Sequence, residues 1–160
     1  YIDVQSCKDK GTTFTLYFPV TREERTARPP KIPVEQYRGR GEKVLVVDDI
    51  AEQREVASGL LEKLGYRVHS VSSGEEAVKY LKDNRVDILV LDMIMAPGMD
   101  GMETYRRILE IHPKQKAILV SGFTETDRVR KAQILGAGTY VKKPYVMETI
   151  GLAIRKELER

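Results

Sequence analysis

From Lys43 onward, short apolar runs alternate with segments whose apolar residues recur every three to four positions. Three runs are continuous: Val44-Leu45-Val46-Val47, Ile88-Leu89-Val90-Leu91 and Ala117-Ile118-Leu119-Val120. Unbroken runs of this length are expected of strands buried on both faces of a parallel sheet. The pattern predicts five strands, at 43–48, 67–71, 87–92, 117–121 and 139–142. The intervening segments predict helices with apolar faces: Val56, Leu60 and Leu64; Ala77, Val78 and Leu81; Met102, Tyr105, Ile108 and Leu109; Val129, Ala132 and Leu135; Val146, Ile150, Ile154 and Leu158. Gly65 and Gly136 stand where helices should end, and Pro113 follows the third helix. Five consecutive βα units predict an α/β fold: a doubly wound five-stranded parallel sheet with right-handed crossovers.

The first 42 residues follow other rules. Tyr1-Ile2-Asp3-Val4-Gln5 alternates, Lys8-Asp9-Lys10-Gly11 turns, and Thr12 to Phe18 alternates again before Pro19. An isolated hairpin is marginal in water, so residues 1–20 are expected to belong to a domain whose remainder lies upstream. A start at Tyr1 rather than Met agrees with a fragment. Residues 21–42 carry Pro29-Pro30, Pro33, Gly39 and Gly41 among charges and read as a linker with a helical turn at 34–38. The remaining domain is expected at 43–160.

Charge sharpens that division. The net +3 arises between Arg22 and Lys43, where seven basic residues face four Glu. The excess sits in a connector rather than on a folded face, which argues for a solvated linker and against a nucleic-acid surface. No apolar run approaches the roughly 18 residues needed to span a bilayer. The single Cys7 excludes an internal disulfide and fits a reducing, cytoplasmic setting.

Candidate chemistry lies at the strand ends, where open parallel sheets build their sites. Asp48 and Asp49 follow the first run, Asp92 ends the third strand, Ser121 the fourth, and Lys143 follows the fifth. Adjacent carboxylates repel each other and resist desolvation, a conflict that a cation removes. Oxygen-only ligands suit Mg²⁺; a pair of caps for a helix starting near Ile50 is the other reading of Asp48-Asp49. Ser121 could bind a phosphoryl oxygen or cap a turn, and Lys143 could neutralise charge or simply face solvent.

Together, VLVVDD, LDM with the following PGMDG, VSG and YVKKP resemble the receiver domain of two-component signalling, the response-regulator family, over about residues 43–160. The resemblance implies strand order 2-1-3-4-5 and a phosphoacceptor at Asp92. Mg²⁺ would be held by Asp49, Asp92 and the carbonyl of Ile94, with Asp48 acting through water. Ser121 and Lys143 would contact the phosphoryl group, the Lys143–Pro144 peptide would be cis, and Tyr140 would report the state of Ser121 to the face formed by the fourth helix, fifth strand and fifth helix. The departures are an extra Ala96, which places Pro97 five residues after Asp92, and the apolar Ile94 and Phe123, which imply slow self-dephosphorylation. A haloacid-dehalogenase-like phosphohydrolase would want an Asp at the position of Ile94. A docking module that is never phosphorylated is the alternative on the same fold.

Gly11-Thr12-Thr13-Phe14 in the hairpin resembles the end of the ATP-binding domain of histidine kinases. The asparagine-bearing helix and glycine-rich lid of those kinases are absent from this sequence, and neither His69 nor His112 stands in a phosphoacceptor context. The two resemblances imply the C-terminal part of a hybrid sensor histidine kinase that does not itself phosphorylate from ATP. Expected partners are a phosphohistidine of the parent kinase, a histidine phosphotransfer protein, and a second copy through a weak homodimer of the fourth-helix face. Direct nucleic-acid or membrane contact is not expected.

Overall fold

The computed structural model describes residues 1–20, 32–122 and 127–160, and divides into two units, Tyr1–Lys31 and Ile32–Arg160. In the first unit, β1 (Ile2–Cys7) pairs antiparallel with β2 (Gly11–Leu16), Val4 opposite Phe14. The strands are displaced by one or two residues from the expected ones, because the turn is tightened by a bond from Lys10 N–H to the Cys7 carbonyl. Ile2, Val4, Phe14 and Leu16 share one side of the ribbon, since side chains alternate along a strand, and all are exposed.

The second unit has the predicted alternation. Its strands are β3 (Lys43–Val47), β4 (Arg67–Val71), β5 (Ile88–Asp92), β6 (Lys116–Ser121) and β7 (Tyr140–Lys142). Its helices are α1 (Ala51–Lys63), α2 (Gly74–Asp83), α3 (Gly101–Ile111), α4 (Asp127–Ile134) and α5 (Met147–Glu159). The strands pair in parallel in the order β4-β3-β5-β6-β7, which is 2-1-3-4-5 within this unit. One face of the sheet buries Leu45, Leu89, Leu91 and Leu119 beneath α2, α3 and α4; the other buries Val46, Val90, Ile118 and Val120 beneath α1 and α5. Among the described residues, no helix is long and apolar enough to cross a membrane.

Three helical faces differ from expectation; in α5, Val146 precedes the first turn and is exposed, so the buried line begins at Ile150. In α1 the buried line is Ala57, Leu61 and Leu64, whereas Val56 is 60% exposed. The small Ala57 carries the packing, and Val56 is turned towards the strand-end cleft described below. Leu135 lies just past the end of α4 and is exposed.

The second unit also begins earlier than residue 43. A single 3-10 turn, Val34–Gln36, brings Tyr37 onto the core beneath α1 and α5. Gly39 and Gly41 then donate N–H bonds to the carbonyls of Leu64 (2.8 Å) and Gly65 (3.1 Å). The segment closes with Glu42, paired to the buried Arg155 of α5 at 2.5 Å. Residues 32–42 therefore form a strap on the α/β unit. Proline and glycine content signalled irregular backbone there, but the fit is tertiary and has no local signature.

Candidate functional site

The C-terminal ends of β3, β5, β6 and β7 bring the widely spaced polar candidates into one place. Asp92 closes a wholly buried strand and is itself only 5% exposed. Its Oδ1 accepts the N–H of Ile94 (3.1 Å) and its Oδ2 accepts a bond from Lys143 Nζ (2.8 Å). Burial raises the Asp92 carboxyl above its ordinary range, against the opposing pull of Lys143 and the Ile94 N–H; the nearby Asp48 adds to the rise.

Asp48, also buried, is fully engaged. Oδ2 accepts from Lys143 Nζ at 2.5 Å, Oδ1 accepts the Ile50 N–H at 2.9 Å, and the Asp48 carbonyl accepts from Arg54 Nη1 at 2.7 Å. Ile50 is the residue that precedes the first turn of α1, and no side chain caps that helix. The capping reading of Asp48-Asp49 is thus replaced by a tie between Asp48, the start of α1 and Lys143.

Asp49 is used differently. Its Oδ2 accepts the N–H of Ala96 at 3.3 Å, while Oδ1 is buried with no partner. One carboxylate oxygen from each of Asp48, Asp49 and Asp92 lies within 4.8 Å of the others, the one such acidic group found among the described residues. An orphaned, buried carboxylate oxygen beside two more carboxylates is costly unless a cation or a donor reaches it. The donor set is all oxygen, which fits a hard divalent cation.

Ser121 is buried at the end of β6, and its carbonyl accepts from Lys143 N–H (2.8 Å) and Tyr140 Oη (3.4 Å). Tyr140 is half-buried on β7 against the core beneath α2, α3 and α4. Ile94 is 44% exposed on the rim, and Phe123 lies outside the described residues. Both the Lys143–Pro144 and Ala96–Pro97 peptides are cis.

Around these groups runs a cleft of about 570 Å³, lined by Ile50, Glu52, Gln53, Val56, Ile94, Gly122, Pro144 and Tyr145 besides Asp92 and Lys143. Burial, with the negative charges of Asp48 and Asp92, pushes the Tyr145 phenol up to about 12. The apolar wall formed by Ile50, Val56, Pro144 and Tyr145 went unnoticed in the sequence. Ile50, Pro144 and Tyr145 had a signal in their positions just after the strand-end charges, whereas Val56, inside α1, had none. A larger groove of about 710 Å³ at the N-terminal ends of the strands gathers Lys43, Arg85, His112 and Lys114 without converging carboxylates.

The response regulator receiver domain family matches residues 44–155. The chain belongs to this family. The receiver is 32% identical over 117 residues to sporulation initiation phosphotransferase F of Bacillus subtilis, covering 73% of the chain and 94% of that protein. It is also 32% identical over 162 residues to the sensor kinase CckA of Brucella abortus, covering 94% of the chain but only 17% of that kinase. An alignment of that extent takes in most of Tyr1–Lys31 as well as the receiver. Among solved structures, the receiver superposes with a TM-score of 0.68 and 27% identity on a chain of the CheX–CheY–BeF3–Mg²⁺ complex of Borrelia burgdorferi, covering 72% of this chain and 87% of that one.

Proposed function

We propose that this receiver accepts a phosphoryl group on Asp92 from a partner's phosphohistidine, within a two-component phosphorelay. The observation that carries the reading is the convergence of Asp92, held by the Lys143 ammonium, with the Asp48 and Asp49 carboxylates, one oxygen of each lying within 4.8 Å of the others. Asp92 supplies the attacking oxygen: the new O–P bond forms as the P–N bond of the donor breaks, and the electron pair stays on the imidazole. Lys143 holds Asp92 in place and stands ready to meet charge on the phosphoryl oxygens, so this chain contributes chiefly positioning and electrostatics. Asp49, Asp92 and the carbonyl of Ile94 would hold Mg²⁺, with Asp48 acting through water; the ion would supply further charge neutralisation. The presence of Mg²⁺ in the Borrelia CheX–CheY–BeF3 complex supports that choice of cation.

Once Asp92 is phosphorylated, Ser121 contacts the phosphoryl group and Tyr140 shifts with it, changing the face formed by α4, β7 and α5. The similarity to CckA over both units supports origin in a hybrid sensor kinase, with the hairpin as the end of its ATP-binding domain and residues from 21 as the connector. The donor is then the kinase's own phosphohistidine or a histidine phosphotransfer protein, on the cytoplasmic side.

Incubation with Mg²⁺ and acetyl phosphate, followed by intact-mass measurement, tests the reading. One phosphoryl adduct, lost in Asp92→Asn, is the expected result. No adduct on the wild-type chain would overturn phosphoacceptance and leave a docking module.

A further inference from the structure

The loop between β5 and α3 is tied down on both limbs. On the near limb, Ala96 N–H reaches Asp49 Oδ2. On the far limb, Met99 N–H donates to Glu75 Oε1 at 2.9 Å, across 24 residues of sequence. Gly98 makes that approach feasible: its φ of 111° is left-handed, and a Cβ there would lie 2.7 Å from the same glutamate oxygen.

Glu75 and its neighbour Glu76 do separate work. Glu76 Oε2 accepts the N–H and the hydroxyl of Ser72, both at 2.8 Å, while Ser73 Oγ accepts the Glu76 N–H at 3.2 Å, so this pair caps α2. Glu75 is exposed at the start of the same helix and holds the loop. The consequence falls on Asp49. With Oδ2 turned to the Ala96 N–H, Oδ1 is left unpartnered, and one oxygen of this carboxylate lies within 4.8 Å of oxygens from Asp48 and Asp92. A single backbone donor thus fixes the orientation of the Asp49 carboxylate, and a residue outside the cleft holds that donor in register.

We propose that Glu75 is a positioning residue for Mg²⁺ binding: through Met99 it braces the loop so that Ala96 N–H keeps Asp49 in its ligating orientation. The proposal rests on the cation reading given above. Groups that orient metal ligands from behind commonly change affinity by about 10- to 100-fold when removed.

The test is calorimetric titration of the whole chain with MgCl₂, in wild type, Glu75→Ala, Glu75→Gln and Glu76→Ala, with thermal melts alongside. Glu75→Ala should raise the Mg²⁺ dissociation constant by about tenfold, the lower end of that range. Glu75→Gln, whose carboxamide oxygen accepts the same N–H, should stay close to wild type. Glu76→Ala should lower the melting midpoint and leave Mg²⁺ affinity unchanged. Equal affinity in wild type and Glu75→Ala overturns the brace, and so does a Glu75→Gln variant as weak as Glu75→Ala, because the effect would then be charge alone. Absence of Mg²⁺ binding by the wild-type chain overturns the cation reading and the brace with it.

Discussion

Lys143 Nζ lies 2.5 Å from Asp48 Oδ2 and 2.8 Å from Asp92 Oδ2, so one ammonium bridges two buried carboxylates from different strand ends. It reaches them from the loop after β7, and its own N–H is fixed by the Ser121 carbonyl. The arrangement gives Lys143 two tasks: it makes the acidic pocket tolerable in the fold, and it presents a cation where phosphoryl oxygens would arrive.

Replacing that ammonium separates the tasks. Lys143→Met leaves two buried carboxylates facing each other and should destabilise the chain by about 3 kcal/mol, as breaking a buried ion pair does. Because a bound cation relieves the same repulsion, MgCl₂ should recover more stability in the variant than in wild type. Urea denaturation with and without MgCl₂ measures both. An unchanged midpoint in Lys143→Met without MgCl₂ would show that the bridge contributes nothing to stability.

Asp92 gives a prediction with a definite sign in pH. Its carboxyl is raised above the ordinary range, chiefly by burial, so the folded chain holds that proton more tightly than the unfolded chain does. The ionised side chain therefore costs stability at neutral pH, and the cost disappears as pH falls below the usual carboxylate value of about 3.9. Asp92→Asn should be more stable than wild type at pH 7 by about 1 kcal/mol, within the range seen when a strained functional group is removed. The advantage should narrow on acidification. Paired melts at neutral and acid pH, without Mg²⁺, check it; an advantage that widens towards acid would contradict the sign.

The fold was legible because three of its five strands announce themselves as continuous apolar runs between helically spaced segments, and their order follows from the family resemblance. The polar residues of the candidate site were legible too, since Asp48, Asp49, Asp92 and Ser121 adjoin such runs and Lys143 directly follows the fifth expected strand. Partnerships were not. That Asp48 is saturated while Asp49 keeps a bare oxygen depends on Ala96 N–H and Lys143 Nζ, groups 47 and 95 residues away. The apolar wall was hidden because Val56 obeys helical spacing as well as Ala57 does, and only packing decides which of them turns inward. The strap was missed for a similar reason: Tyr37 and Gly39 carry no periodicity, and their partners lie in α5 and at the end of α1.

The strap makes Gly151 unusual. Alanine in place of a helical glycine ordinarily stabilises by about 1 kcal/mol. Here a Cβ on Gly151 would meet Tyr37 Cδ2 at 2.8 Å and Leu64 Cδ1 at 3.0 Å, so Gly151→Ala must displace the strap or a core leucine. The substitution should destabilise by about 1–3 kcal/mol, the usual range for overpacking. In a Tyr37→Ala background the same change should cost much less. A double-mutant cycle by urea denaturation supplies the coupling; additivity of the two changes would mean that the strap does not bear on α5.

If Asp92 is the phosphoacceptor as proposed, Ile94 should govern how long the phosphoryl group lasts. It sits on the rim of the cleft, two residues past Asp92, where its N–H is already committed to Asp92 Oδ1 and its side chain offers no donor or acceptor. Hydrolysis of an acyl phosphate needs a water held in line behind phosphorus, and the side chains of Ile50, Val56, Ile94 and Pro144 offer it no bond, with Glu52 and Gln53 among the polar groups elsewhere on the cleft lining. The wild-type phosphoryl group should therefore be long-lived, and Ile94→Asn should shorten its lifetime by roughly tenfold, a modest share of what a positioned proton-handling or water-orienting group contributes. Since Ile94 is already exposed, the change should scarcely alter the melting midpoint. The measurement is decay of the mass adduct after acetyl phosphate is removed, with Mg²⁺ held constant. A wild-type lifetime of seconds that Ile94→Asn leaves unaltered would show that water reaches phosphorus from a side this wall does not guard.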